Sequence, residues 1–144
     1  MTRFVLASCL AISACAGTLR PATLRLGEDA CAHCRMTVVS DQTAAQIVTP
    51  GGEPLIFDEL GCLRDYLRAR PLAEDAVVFV IDHHTRAWLD ARQAVFTRTS
   101  EHTPMGSGLV AHANPASRDA DAAGHGVPVA ADFILRPPAA GIAP

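Results

Sequence analysis

The residues best suited to chemistry stand close together: Cys31-Ala32-His33-Cys34-Arg35-Met36 places two thiols, an imidazole and a thioether in one short stretch. Soft sulfur donors at this density suit a soft cation, above all Cu(I). A second thioether, Met105, lies far downstream in Thr103-Pro104-Met105-Gly106; apart from Met1, Met36 and Met105 are the only methionines. A thioether is neutral and does not titrate, and it binds Zn(II), Mg(II) or Ca(II) poorly, so Met36 and Met105 would discriminate between metals where a Cys pair alone would not. Cys62 is a third thiol available to join Cys31 and Cys34, and His33 or His102 could add a nitrogen.

Other chemistries compete for the same residues. Cys31 and Cys34 could form a structural disulfide, or a redox pair working as a thiol-disulfide oxidoreductase, although no βαβ pattern surrounds them. Cys31, Cys34, Cys62 and a histidine could hold zinc, but a second CxxC knuckle is missing. Core packing is the commonest use of methionine; Met105, however, sits between Pro104 and Gly106-Ser107-Gly108, a turn-rich setting that exposes a side chain. His83, His84, His112 and His125 show no ligand spacing, Asp58 reads as a helix cap, and Asp82 and Asp90 read as turn acids. There is no nucleophile elbow, phosphate loop or carboxylate pair with a role, so the expectation is a protein that is not an enzyme. A net charge of −3 without a basic, aromatic-interleaved patch speaks against a nucleic-acid partner.

The elements that must position these donors can be read in order. The chain has 144 residues, 49% hydrophobic but only 5% aromatic, so its core must be built from Ala, Val, Leu and Ile. Residues 1–14 read as a signal peptide: Arg3, then an apolar run too short to span a bilayer. The run ends in Ile12-Ser13-Ala14-Cys15, which resembles a bacterial lipobox and marks Cys15 for lipidation. Residues 15–30 read as a flexible tether, reaching about 50 Å when extended. Export implies an oxidising compartment, yet Cys31, Cys34 and Cys62 cannot all pair within one chain, so at least one stays free or binds something.

Residues 31–72 read as a first ββα unit. Met36–Ser40 and Ala44–Thr49 suggest a hairpin, Leu55–Phe57 a further strand, and Leu60, Leu63 and Leu67 a helical apolar stripe stopped by Pro71. Residues 73–135 read as a second, ββα-like unit: strands at 77–81, 87–89, 93–98 and 109–111, a helix over 115–123 capped by Asn114 with Pro115 at its first position, and a closing strand over 127–135. Residues 136–144 read as a disordered tail. A shift of 54 residues lays 49–66 over 103–120, matching Thr49/Thr103, Pro50/Pro104, Gly52/Gly106, Leu55/Leu109, Arg64/Arg118 and Asp65/Asp119, with Met105 falling on Gly51. The expected fold is α+β: two small related ββα units packed as one compact domain.

The motifs C-x-x-C-x-M, F-D-E-L-G-C, W-L-D-A-x-x-A-V-F and T-P-M-G-S-G, in this order behind a lipobox, resemble the NosL family of lipid-anchored periplasmic copper chaperones that serve nitrous-oxide reductase. The resemblance runs from about residue 31 to 135. It implies Cu(I) as cargo, paired ββα units, Cys34, Met36 and Met105 as binding residues, and a cuproenzyme, most readily nitrous-oxide reductase or its assembly machinery, as client. It also implies a periplasmic protein held to a membrane through Cys15. Family members often carry Gly where this chain has Arg35, and many lack the cysteines at Cys31 and Cys62.

Overall fold

The computed structural model describes residues 18–136, which form seven strands and three short helices in two antiparallel sheets. The signal-peptide reading (1–14), the lipidation reading at Cys15 and nearly all of the tail reading (137–144 of 136–144) lie outside the described residues. No helix among the described residues is long and apolar enough to cross a membrane.

The first sheet has the order β2-β1-β3-β4, from β1 (Ala45–Val48), β2 (Leu55–Phe57), β3 (Val77–Ile81) and β4 (Trp88–Asp90). β1 pairs with β2 in the register Ile47↔Leu55 and with β3 in the register Ile47↔Val78. Both edges of β1 are thereby taken, and Met36–Ser40, expected to form a hairpin with it, is left with a single bridge from Thr37 to Ala30. That bridge helps hold the preceding segment on the domain. Gly27 N–H donates to Val38 O at 2.9 Å and Val38 N–H to Asp29 O at 2.9 Å. Further back, Ala22 exchanges both its backbone groups with the Gln46 amide, at 2.8 and 2.9 Å. Gln46 is fully buried in β1, and a buried amide must find partners. Part of the expected tether supplies them.

Helix α1 (Leu60–Ala69) buries Leu60, Leu63 and Leu67, as the apolar stripe requires, against Phe57, Val78 and Val80 in one continuous core. Its N-cap is Glu59, not Asp58, and no side chain bonds the free N–H groups there. Arg70 closes the C-terminal end by donating its N–H to Tyr66 O. The second sheet has the order β6-β5-β7, from β5 (Val95–Arg98), β6 (Leu109–His112) and β7 (Val127–Val129). Helix α2 (Pro115–Asp119) starts as expected: the Asn114 side chain accepts from Ser117 N–H and Pro115 occupies the first turn. The run expected as one closing strand over 127–135 divides into β7 and helix α3 (Ala131–Leu135), which buries Ile134 and packs against α1.

The internal repeat has a structural counterpart. β1-β2-α1 and β5-β6-α2 are both antiparallel hairpins followed by a helix, and β3-β4, lying between them in sequence, joins the first sheet. The two Thr-Pro-x-Gly turns keep the same closing bond, Gly52 N–H to Thr49 O at 3.2 Å and Gly106 N–H to Thr103 O at 2.9 Å. They differ in backbone. In the first, the third position has φ +68 at Gly51; in the second, positive φ falls at Gly106, one place later. The third position of the second turn is therefore open to a side chain, and Met105 occupies it.

Candidate metal centre

Residues 31–36 close into a tight loop. Cys31 N–H donates to Met36 O at 2.8 Å, Arg35 N–H to Cys31 O at 3.0 Å, and Ala32 N–H to Ile56 O at 2.7 Å, which pins the loop to β2. The closure puts Arg35 at φ +67, a region where a Cβ costs energy and glycine does not. Regular strand alternation is interrupted there. The loop instead turns Cys31 fully inward, leaves Cys34 half-buried and exposes Met36.

Cys62, the third residue of α1, comes up beneath this loop. The sulfurs of Cys31, Cys34 and Cys62 all lie within 4.8 Å of one another, and all three are free thiols. Two come from a loop and one from a helix, so only the packing of α1 against β2 makes the cluster.

The three sulfurs titrate as a unit. A hydrogen bond from Cys62 lowers Cys31 despite the opposing effect of burial, assisted by backbone groups of Asp58, Cys34 and His33. Cys62 is raised by the same hydrogen bond and by burial. Burial is also the main cause that raises Cys34. The first proton therefore leaves Cys31, and the resulting thiolate is held by its neighbours beside the N-terminus of a helix, where a negative charge is favoured. Asp58 lies beside Cys31. Burial, then the negative charges on Cys31 and Glu59, push its carboxyl up to about 6, and its Oδ1 has no hydrogen-bond partner.

The downstream methionine reaches this end of α1 through its backbone. Met105 N–H donates to Glu59 Oε2 at 3.2 Å, across 46 residues of sequence. The 103–108 loop is braced from within by Gly108 N–H donating to the buried Thr103 hydroxyl at 3.1 Å. It also packs on Gly61: a Cβ there would lie 2.6 Å from Ser107 Cβ, closer than atoms can approach. The glycine of F-D-E-L-G-C is thus required for the loop to seat. Met105 itself is about half exposed, as is Met36. His33 and His102 are both exposed. Sequence reasoning passed over Glu59 and Gly61; the signal available was their position between Asp58 and Cys62 in one short motif.

Fold and site together define a small two-sheet α+β domain with a buried thiol pocket beside a helix N-terminus. The chain belongs to the NosL family, whose model it matches over residues 23–130. Its fold is similar to the crystal structure of the copper chaperone NosL from Shewanella denitrificans, with a TM-score of 0.60 and 16% identity, covering 72% of this chain and 86% of that one. No curated protein matches the chain.

Proposed function

We propose that this protein is a Cu(I) chaperone whose cargo is bound by the Cys31, Cys34 and Cys62 sulfurs, with Met36 and Met105 as thioether donors at the rim. The observation that carries the reading is the convergence of three free thiols within 4.8 Å, in a chain whose two internal methionines are both exposed. Thiolate and thioether donors select Cu(I) over harder ions. The named copper chaperone of similar fold and the NosL family membership support the same cargo.

The geometry supports a division of labour. Cu(I) arriving at the surface meets the exposed thioethers first, which bind without releasing a proton. Inside, the metal displaces protons from Cys34 and Cys62, so binding tightens as pH rises. Release to a client follows by exchange: a partner's ligands replace the outer donors one at a time, and the ion is never bare. The client would be a cuproenzyme, most readily nitrous-oxide reductase or its assembly machinery. Delivery would take place in the periplasm, from a membrane anchor on Cys15. The chemistry is ligand exchange without turnover, so the protein is not an enzyme on this reading.

A thiol-disulfide oxidoreductase needs an exposed, acidic thiol as nucleophile. Here the acidic thiol, Cys31, is fully buried, which counts against that alternative. Anaerobic Cu(I) titration against a competing chelator tests the proposal. Each of Cys31→Ser, Cys34→Ser and Cys62→Ser should weaken binding at least about tenfold, or ~1.4 kcal/mol. Met36→Leu and Met105→Leu should weaken it less. Wild-type affinity no better than micromolar, or affinity unchanged in the Cys34→Ser, Met105→Leu double variant, would refute it.

A further inference from the structure

Away from the thiols, a second cluster joins the two sheets. His83 follows β3, His112 ends β6, and Asp121 opens the 3-10 turn Ala122–Gly124. Asp121 Oδ2 sits 2.6 Å from His83 Nδ1 and 3.0 Å from His112 Nε2, and one ligand atom from each residue lies within 4.8 Å of the other two. We propose that His83, His112 and Asp121 form a second metal site, for a divalent cation of the Zn(II) class.

Three observations support this. The first is the donor set. Two imidazoles and a carboxylate, with no sulfur, suit Zn(II) and not the Cu(I) proposed for the thiols. Tetrahedral Zn(II) sets its ligand atoms about 3.4 Å apart, from bonds near 2.0–2.1 Å. The Asp121 carboxylate would need to withdraw by less than about 1 Å from each ring to reach that spacing. Its other oxygen stays anchored by the Ala123 N–H at 3.0 Å.

The second is that the scaffold is built from behind. Buried Asp82 accepts from His84 N–H and Thr85 N–H at 2.9 Å, from Ala113 N–H at 2.8 Å and from the Ser117 hydroxyl. His83 N–H donates to Ala111 O at 2.8 Å. One carboxylate thereby fixes the segments that carry His83 and His112, the kind of outer support that orients metal ligands.

The third is the state of His112. Its side chain is fully buried, with Nε2 turned to the Asp121 carboxylate. A ring packed on all sides presents Nε2 to the cluster in one orientation, as a metal ligand must be held. His83 and Asp121 keep slight exposure, at 14% and 12% of their side chains, so the cluster meets the surface on that side.

The test uses the full chain labelled with 15N at histidine, titrated with Zn(II) and followed at the ring nitrogens. Because the readout is resolved at each ring, Zn(II) taken by the thiols does not interfere. Saturable, micromolar or tighter shifts at His83 Nδ1 and His112 Nε2 are expected, together with loss of one Zn(II) equivalent in Asp121→Asn, which keeps an acceptor for the Ala123 N–H. Rings that do not respond to Zn(II), or an Asp121→Asn protein with wild-type stoichiometry, would show a hydrogen-bonded clamp between the sheets and overturn the proposal. If Asp121→Asn does not fold, the ring shifts of the wild-type chain decide.

Discussion

The backbone N–H of Met105 donates to the buried carboxylate of Glu59, the residue just before the helix that carries Cys62. One hydrogen bond thus ties the thioether loop to the thiol pocket. Removing it with Glu59→Ala should free the 103–108 loop. Cu(I) affinity should fall about tenfold, or ~1.4 kcal/mol, and the Met105 amide should lose its protection from hydrogen exchange. Glu59→Gln, which retains an acceptor, should restore most of both.

Gly61 makes the same point through packing. A Cβ at this position collides with Ser107, so Gly61→Ala should displace the loop even though alanine favours a helix. Overpacking of this kind costs about 1–3 kcal/mol. Chemical denaturation should register that loss, and Cu(I) titration should show weaker binding with all five sulfur donors present.

Arg35 holds φ +67, a conformation that glycine adopts without cost. Relief of strain and the greater freedom of an unfolded glycine oppose one another; the strain is the larger. Arg35→Gly should therefore raise stability by about 0.5–1 kcal/mol, measured as a shifted urea midpoint, with Cu(I) affinity unchanged.

Among Cys31, Cys34 and Cys62, only Cys34 is partly accessible. Iodoacetamide should modify Cys34 first although Cys31 is the more acidic thiol, because reaction needs contact as well as charge. One equivalent of Cu(I) should protect all three. Mass spectrometry of the alkylated peptides checks both statements.

Stability should depend on acid in two opposite ways. The Asp82 and Asp121 carboxyls lie below their ordinary value when folded. Their contribution is complete above about pH 4 and is lost as pH falls through the lower folded values. Asp58 has the reverse sign. Its folded carboxyl is raised from 3.8 to about 6, so its contribution is present below about pH 4 and is lost as pH rises through 6. Urea midpoints taken across this range should fall below pH 4 for the wild type and fall less for Asp82→Asn. Asp58→Asn should remove the loss between pH 4 and 6.

What the sequence determined by itself was local. Residue type alone made Cys31, Cys34, Met36 and Met105 soft-ligand candidates. Helical periodicity placed Leu60, Leu63 and Leu67 on one buried face, and side-chain chemistry made Asn114 a cap. Each of these depends on neighbours a few residues away, and the structure agrees on the buried helix face and on the cap. The expected hairpin of 36–40 with 44–49 failed because strand pairing is a competition between distant segments: β2 and β3 take both edges of β1. The cap position is Glu59 and not Asp58, whose carboxyl is instead buried near Cys31. The meeting of Cys62 with the Cys31–Cys34 loop, the hold of Glu59 on Met105 and the gathering of His83, His112 and Asp121 were likewise decided only in three dimensions. Each joins segments tens of residues apart, and no periodicity records which distant faces will be pressed together when the core excludes water.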